Sequence, residues 1–269
     1  MSRPSNQISQ RKLAIEDITA SFLNYRFWMT LAWVDIVQRY RGSMLGPFWL
    51  TISTAVFLFG LGPLYATLFD LELEGYLPYL AAGIITWNFI TTSVNESCST
   101  YITAGHVMRQ MRLPVFVHVL HLMARQVIIF AHSIPLYFLV HILLGRPFTW
   151  GMLWAVPGFL LLCGILTCVS MLLAVISLRY RDFIQIVQSV TQIAFFVTPI
   201  FWQVDDRPML RMVADLNPIA AAIAIVRNPL LGTPVSTYHL VWAISGFVVL
   251  AVLAFVIFVR YRRRIIYWV

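Results

Sequence analysis

Long apolar runs separated by short polar segments dominate the chain. A helix needs roughly 20 apolar residues to cross a hydrocarbon core of about 30 Å, because lipid offers no partner for an unpaired backbone group. Six runs approach or exceed this length, and they cover residues 46–69, 77–97, 115–144, 152–178, 184–202 and 238–259. The pattern predicts an all-α membrane protein with six transmembrane helices in a domain covering residues 46–269.

The segment before the first run has a different pattern. In residues 23–44, four apolar side chains recur at helical spacing while polar residues occupy the rest of the wheel; the four are Phe27, Leu31, Val34 and Val37. This pattern predicts an N-terminal amphipathic helix that lies in the membrane interface, within a cytoplasmic segment formed by residues 1–45. A juxtamembrane stretch with chance periodicity is the alternative.

Residues 203–236, between the fifth and sixth runs, are too long for a simple hairpin and contain four prolines. Loops of this length usually fold. Because proline is favoured in the first turn of a helix, Pro208 is expected to open one short helix and Asn217-Pro218 another. Residues 219–226 are apolar but too short to span, which favours a re-entrant element.

Composition and charge agree with a membrane protein. Hydrophobic residues make up 60% of the chain and charged residues 11%, far from the balance of a soluble domain, and the net charge of +8 is spread between apolar runs, which disfavours nucleic-acid binding. Arginines fall mostly on one side of the predicted map, while the other side holds only Arg146, Arg207, Arg211 and Arg227. The positive-inside rule therefore places both termini in the cytoplasm, and residues 1–25 lack the pattern of a cleavable signal.

The candidate chemistry is sparse. Lys12 is the single lysine and follows no glycine-rich turn, so the sequence predicts no P-loop, no nucleotide site, no metal site and no cofactor in this chain, and energy from ATP would require a separate ATPase. The three cysteines lack metal or redox spacing, and the four histidines of the third run are expected to hydrogen-bond within the bundle. Arg125 in that run is expected to pair with Glu96 or to extend to the interface.

Several segments together resemble the ABC-2 type polysaccharide-export permeases, the exporters of O-antigen, capsule and teichoic acid. The segments follow the family order over nearly the whole chain: RYRGSMLGPFWLTI at 39–52, RQMRLPVFVHVLHLMARQVIIFAH at 109–132, SLRYRD at 177–182, VTPIFW at 197–202 and LNPIA at 216–220. The resemblance implies a homodimer in the bacterial cytoplasmic membrane that docks two ATPase subunits, which bind ATP and Mg²⁺. It also implies that short helices after the fifth span form an external gate.

The resemblance further implies a coupling helix between the second and third spans, here residues 102–113, closed by Pro114. Its side chains offer adaptable apolar contacts and positive charge to an ATPase: Val107, Met108, Arg109, Met111 and Arg112. The interface helix would add Arg39 and Arg41. A basic loop that only satisfies the positive-inside rule is the alternative.

The substrate implied by the resemblance is a long lipid-linked glycan, which requires a tunnel whose surfaces bind weakly at many places. Aromatic rings can stack on the apolar faces of sugars without fixing the polymer in one register. The channel-lining candidates are Phe57, Phe59, Tyr65, Trp87, Phe195, Phe196, Phe201 and Trp202. The sequence thus predicts the permease subunit of a polysaccharide exporter, with O-antigen favoured over capsule. The alternatives are a permease for a small hydrophobic drug or lipid, and a membrane scaffold or enzyme without an ATPase.

Overall fold

The computed structural model describes residues 5–41, 46, 48–204 and 208–269, without the side chains of residues 5–9 and of Leu50. Over these ranges the chain forms helices and no β-strand, which confirms the all-α prediction. In chain order the helices are α1 Ser5–Leu23, α2 Tyr25–Arg39, α3 Phe48–Leu68, α4 Leu73–Ser97, α5 Thr100–Gln110, α6 Val117–Leu143, α7 Ala155–Arg179, α8 Phe183–Val197, α9 Pro208–Leu216, α10 Pro218–Leu230 and α11 Thr237–Trp268. A short 3-10 helix, Trp150–Trp154, leads into α7.

Each of the six predicted spans coincides with one helix, but fewer than six of these helices qualify as spans. Among the described residues, four helices are long and apolar enough to cross a membrane: α3, α6, α7 with its 3-10 turn, and α11. The pair α9 and α10, bent by 91°, makes a fifth candidate if the two helices count as one broken span. The structure therefore supports four or five candidate spans by length and composition.

Helices α8 and α4 fall short for different reasons. Helix α8 has 15 residues, or about 22 Å of rise, because Thr198 precedes a proline and adopts an extended conformation (φ −89°, ψ 138°). Helix α4 has 25 residues, which is long enough, but polar residues interrupt its apolar sequence. Fifteen of its residues are buried, and α3, α6, α7, α8 and α10 all contact it. Protein covers most of α4, so its sequence does not need the hydropathy of a lipid-facing helix.

The predicted interface helix corresponds to α2, and its position in the membrane interface stays a prediction. The chain breaks at Asn24 between α1 and α2, and α2 packs along α6 through Ala32 and Ile36, whereas Val34 and Val37 of the predicted apolar face are exposed. The Asp35 side chain faces α6, where it contacts Arg125 and His121. The predicted end of this helix at Met44 lies outside the described residues, as does Arg207.

The bundle has two chemically different ends. We call the end formed by α1, α5 and the last turns of α11 the arginine-rich end; its core includes Ala14, Tyr101, Val119 and Phe258. At the opposite end, which we call the α9–α10 end, α10 is buried against α4, α7 and α11. Helices α7 and α10 approach so closely that a Cβ added to Gly158 would clash with the carbonyl oxygen of Ile225.

Helices α9 and α10 begin at Pro208 and Pro218, as the sequence predicted. The Asn217 side chain caps α10 by accepting hydrogen bonds from the backbone N–H groups of Ile219 (2.9 Å) and Ala220 (3.4 Å). Residues 219–226, the predicted re-entrant element, lie inside α10, and its re-entry into the membrane stays a prediction.

Candidate functional site

A charged network joins α2, α4 and α6 near the arginine-rich end. Arg125 on α6 contacts Glu96 on α4 (Nη2–Oε2 2.6 Å) and Asp35 on α2 (Nη1–Oδ2 2.8 Å). The pairing of Arg125 with Glu96 that the sequence suggested is therefore present. A guanidinium suits this position because its planar fork can serve two carboxylates at once.

Three further side chains complete the network. Arg39 lies 3.1 Å from Glu96 Oε1, Gln126 donates to Glu96 Oε2 (2.7 Å), and His121 Nε2 lies 3.0 Å from Asp35 Oδ2. Arg39 was predicted to face an ATPase; it contacts Glu96, and 45% of its side chain is exposed. The network balances two carboxylates with two guanidinium groups, and it fixes α2 to the last turn of α4.

A polar stripe runs along α4. Beyond its first turn, α4 exposes only Asn88 and Thr92. Asn88 donates to the Thr54 hydroxyl on α3 (3.4 Å), and Thr191 on α8 donates to Asn95 Oδ1 about two turns further along α4 (3.3 Å). The stripe opens on a cavity of about 370 Å³ between α3, α4, α6 and α8, whose lining also includes Ser53, Gln126 and Ser133. Amides and hydroxyls exposed on a spanning helix are expected at a protein contact or a water-filled path, because hydrocarbon does not solvate them.

Aromatic rings continue from this cavity to the α9–α10 end. Trp87 contacts Phe195 (ring centroids 5.7 Å apart), Phe195 contacts Phe201 (5.6 Å), and Phe201 contacts Tyr65 (5.6 Å). Phe196 packs edge-on against Phe195, also within reach of Phe201. We call these five side chains the aromatic row.

The other three predicted lining residues are placed differently. Phe57 lines the 370 Å³ cavity. The Trp202 indole donates to the Phe196 carbonyl (3.1 Å) beside the row, and Phe59 is 42% exposed without belonging to it. The structure thus brings most of the predicted set together, and their role in a channel stays a prediction.

The predicted coupling helix is α5 and the segment after it. Helix α5 ends at Gln110, earlier than the predicted boundary at residue 113, because Met111 is extended (φ −122°, ψ 134°). Of the predicted contact residues, Val107, Arg109, Met111 and Arg112 are exposed and Met108 is partly buried against the core. Arg109 donates to the carbonyl of Val269, and Arg41 after α2 is exposed.

Asp17 on α1 is a functional candidate that sequence reasoning missed. Its carboxylate is completely buried, accepts hydrogen bonds from the backbone N–H groups of Val115 (3.1 Å) and Phe116 (3.0 Å), and lies 2.7 Å from Arg262 on α11. Asp17 therefore connects α1 and α11 with the segment that follows α5. One aspartate in a mixed polar stretch gives no sequence signal of this role, because all its partners are distant in the chain.

Arg227 on α10 is the second missed residue. The sequence map assigned it to a connecting segment, but it is only 6% exposed. Its guanidinium lies 4.0 Å above the Tyr79 ring, and Nη1 donates to the Pro199 carbonyl. An arginine within the apolar run IAAAIAIVR was the available signal, since a charge in such a run is costly unless it is used.

Comparisons with known proteins agree with this architecture. The profile of the ABC-2 type transporter membrane family matches residues 26–231. An O-antigen export system permease protein RfbA from Myxococcus xanthus is 22% identical over 230 residues, covering 79% of this chain and 87% of that protein. An O-antigen export system permease protein RfbA from Klebsiella pneumoniae is 23% identical over 233 residues, covering 86% and 90%.

The family match extends from the start of α2 to the end of α10, so it includes the charged network, the polar stripe, the aromatic row and α5. It covers well over half of the chain. The protein therefore belongs to the ABC-2 type transporter membrane family.

Proposed function

We propose that this chain is the permease subunit of an ABC exporter that moves lipid-linked polysaccharide across the bacterial cytoplasmic membrane. O-antigen is the favoured substrate class and capsule is next, since the relatives described above are named O-antigen export permeases. The chain itself moves its substrate without chemical change, and ATP and Mg²⁺ bind to a separate ATPase.

The observation that carries this proposal is the polar stripe continued by the aromatic row. Asn88, Thr92 and Asn95 offer hydrogen bonds to sugar hydroxyls, and the rings from Trp87 to Tyr65 offer stacking faces. Weak contacts of both kinds at many positions suit a polymer that must slide. A permease for small apolar compounds would not need amides along the helix that protein surrounds most.

The proposed topology has six spans with both termini in the cytoplasm. Helices α4 and α8 supply the two spans that hydropathy does not support: α4 is shielded by its neighbours, and α8 is extended by residues 198–202. The arginine-rich end then faces the cytoplasm, as the positive-inside rule requires. Helices α9 and α10 form the external gate, and a second copy of the chain completes the path along the open side of α3, α4 and α8.

Two ATPase subunits would act on the exposed residues of α5 and on α2. Val107 and Met111 provide apolar contacts, and Arg109, Arg112 and Arg41 provide positive charge toward acidic groups of the ATPase. Closure of the ATPases on ATP would push α5 and α2 and rock the helices, which opens the seam of the dimer.

A permease for a small hydrophobic compound or a lipid is the second candidate. A crevice of about 590 Å³ between α6, the 3-10 helix and α7 favours it, because its lining is almost wholly apolar and includes Phe130, Phe138, Phe148 and Trp150. Such a crevice fits a hydrocarbon chain better than a sugar.

A complementation experiment in the bacterium that encodes the chain separates these candidates. Removing the gene should make glycan-lipid accumulate in the cytoplasm and remove the glycan from the cell surface, and the wild-type gene should reverse both changes. Arg109→Glu/Arg112→Glu should insert normally but lose export by about tenfold or more, since reversed charges repel the acidic ATPase surface. Arg263→Glu/Arg264→Glu, which reverses two exposed charges on α11 at the same end, is the matched control. Unchanged surface glycan in the deletion strain would refute the polysaccharide assignment.

A further inference from the structure

A cavity of about 610 Å³ opens at the α9–α10 end, between α4, α9, α10 and the first turn of α11. This volume is in the range of sites for small ligands. Its lining includes two arginines, one aspartate and one histidine, which are Arg211, Arg227, Asp215 and His239. Asn228, Gln203 and Ser236 add neutral hydrogen-bonding groups.

Arg227 is the most unusual of these residues. It is 94% buried, yet none of the ion pairs in the part of the chain that the structure describes includes it. Its known contacts are the Pro199 carbonyl and the face of the Tyr79 ring, and its Nε has no hydrogen-bond partner. A guanidinium carries five N–H donors, and burying it without a carboxylate is costly. Most of its N–H donors thus have no protein acceptor among the described residues, and the residue lines the cavity.

The lining carries more positive than negative charge. Arg211, one turn into α9, is exposed and makes no ion pair with any described residue. Asp215 is the acid among the lining residues, and its backbone carbonyl accepts a hydrogen bond from the Tyr238 hydroxyl (2.7 Å). Two arginines against one aspartate leave an excess positive charge that suits an anion.

The cavity also adjoins the aromatic row. The Tyr79 hydroxyl bonds to the carbonyl oxygens of Pro199 and Trp202 (3.0 Å each), and the Tyr76 hydroxyl donates to the carbonyl of Phe201, which belongs to the row. The backbone of residues 199–202 thus separates the end of the row from Arg227. The cavity therefore lies next to the α9–α10 end of the row, across this backbone segment.

We propose that this cavity binds the phosphate groups of the lipid-linked glycan, with Arg227 and Arg211 as the phosphate ligands. The identity of the phosphate carrier rests on the proposed function; the affinity for phosphate does not. Arginine suits this role because its planar donors match phosphate oxygens in pairs.

The experiment uses the full chain purified in detergent and inorganic pyrophosphate as the probe. A ligand that binds only the folded state raises the melting temperature Tm, so pyrophosphate should raise Tm saturably at constant ionic strength. Arg227→Gln should weaken the apparent affinity by about tenfold to a hundredfold, since it removes charge-assisted hydrogen bonds. Arg211→Gln should weaken it less, and it keeps the proposal testable if Arg227→Gln folds poorly. Arg146→Gln, which changes an arginine that does not line the cavity, should leave it unchanged.

Two further arms identify what occupies the cavity. Asp205 and Asp206 precede α9 and lie outside the described residues, so the titration is repeated in Asp205→Asn/Asp206→Asn, where stronger binding would show that these carboxylates compete for the same site. Dihexanoyl phosphatidylglycerol tests a membrane phospholipid as the source of phosphate. Stabilisation by this lipid but not by pyrophosphate overturns the proposal. So does a pyrophosphate effect that both arginine variants leave unchanged, or the absence of a saturable effect in both the wild-type chain and the aspartate variant.

These outcomes are independent of the exporter assignment, because the measurement needs neither ATPase nor transport. Failure to bind pyrophosphate with glycan export intact removes the cavity proposal alone. Binding in a chain whose deletion leaves the surface glycan unchanged removes the polysaccharide assignment alone.

Discussion

Asp17 and Glu96, at the arginine-rich end, each have an arginine within 2.7 Å, whereas Arg227, at the α9–α10 end, has no carboxylate partner among the described residues. The difference separates two uses of charge in one bundle. Paired charges hold elements together and leave little for a ligand, while a buried charge without a counter-ion is available to bind one. At the α9–α10 end, close backbone packing at Gly158 and Ile225 holds the helices together, whereas ion pairs hold them together at the arginine-rich end.

The largest effect is expected from Asp17→Ala. The change leaves Arg262 and two buried N–H groups without their acceptor, so it should lower the free energy of unfolding by about 3–5 kcal/mol. Denaturation of the purified chain measures this loss, with Glu16→Ala, an exposed acid one residue earlier, as the control. Adding Arg262→Leu to Asp17→Ala should recover part of the stability. Equal stability of Asp17→Ala and Glu16→Ala would mean that charge does not hold this end together.

A smaller loss, about 2–3 kcal/mol, is expected for Arg125→Leu. The variant leaves Asp35 without its guanidinium, but Arg39 still neutralises Glu96, so the cost is below that of Asp17→Ala. Asp35→Asn in the Arg125→Leu background should restore part of the loss, since it removes the unpaired charge. The same denaturation measurement applies, and Arg181→Leu, at an exposed arginine between α7 and α8, is the control. If Arg125→Leu and Arg181→Leu were equally stable, the charged network would not contribute to the stability of the bundle.

The smallest expected effect, about 1–3 kcal/mol, concerns Gly158→Ala. The new Cβ would meet the carbonyl of Ile225, and a backbone atom cannot turn away as a side chain can, so α10 must shift. Gly246→Ala is the matched control because nothing lies within 4 Å of a Cβ at that position in α11. It should be neutral or slightly stabilising, since alanine favours a helix. If both variants were neutral in thermal unfolding, packing would not be what holds the α9–α10 end.

The sequence allowed the helical class, the positions of most helices and the proline starts of α9 and α10 to be predicted, because length, periodicity and proline geometry are local properties. The six spans stay a prediction, because four or five candidates are long and apolar enough among the described residues. High mean hydropathy is expected of a helix that faces lipid. Most of α4 faces other helices, so its mean hydropathy does not reveal that it lies at the centre of the bundle.

The site was predictable only in part. The Glu96–Arg125 pair was visible because charges inside apolar runs are few, and several of the predicted aromatic residues do form one row. Asp17 was not visible, since its partners are 98, 99 and 245 residues away along the chain.

Val34 and Val37 on α2 are exposed, as side chains that face lipid would be, and the placement of α2 in the membrane interface stays a prediction. The pairing of Asp35 with Arg125 and His121 was not visible, because helical periodicity does not reveal contacts between distant segments.

Helices α4 and α5 are joined by only Cys98 and Ser99, and the hydroxyls of Ser99 and Thr100 both bond back to the carbonyl of Glu96 (3.0 and 3.3 Å). A connection of two residues keeps the ends of α4 and α5 close together. If the ATPases act on α5 as we propose, α4 is the first spanning element to receive the displacement. Because Asn88 and Thr92 lie on the surface of α4, the same helix would also form one wall of the proposed path.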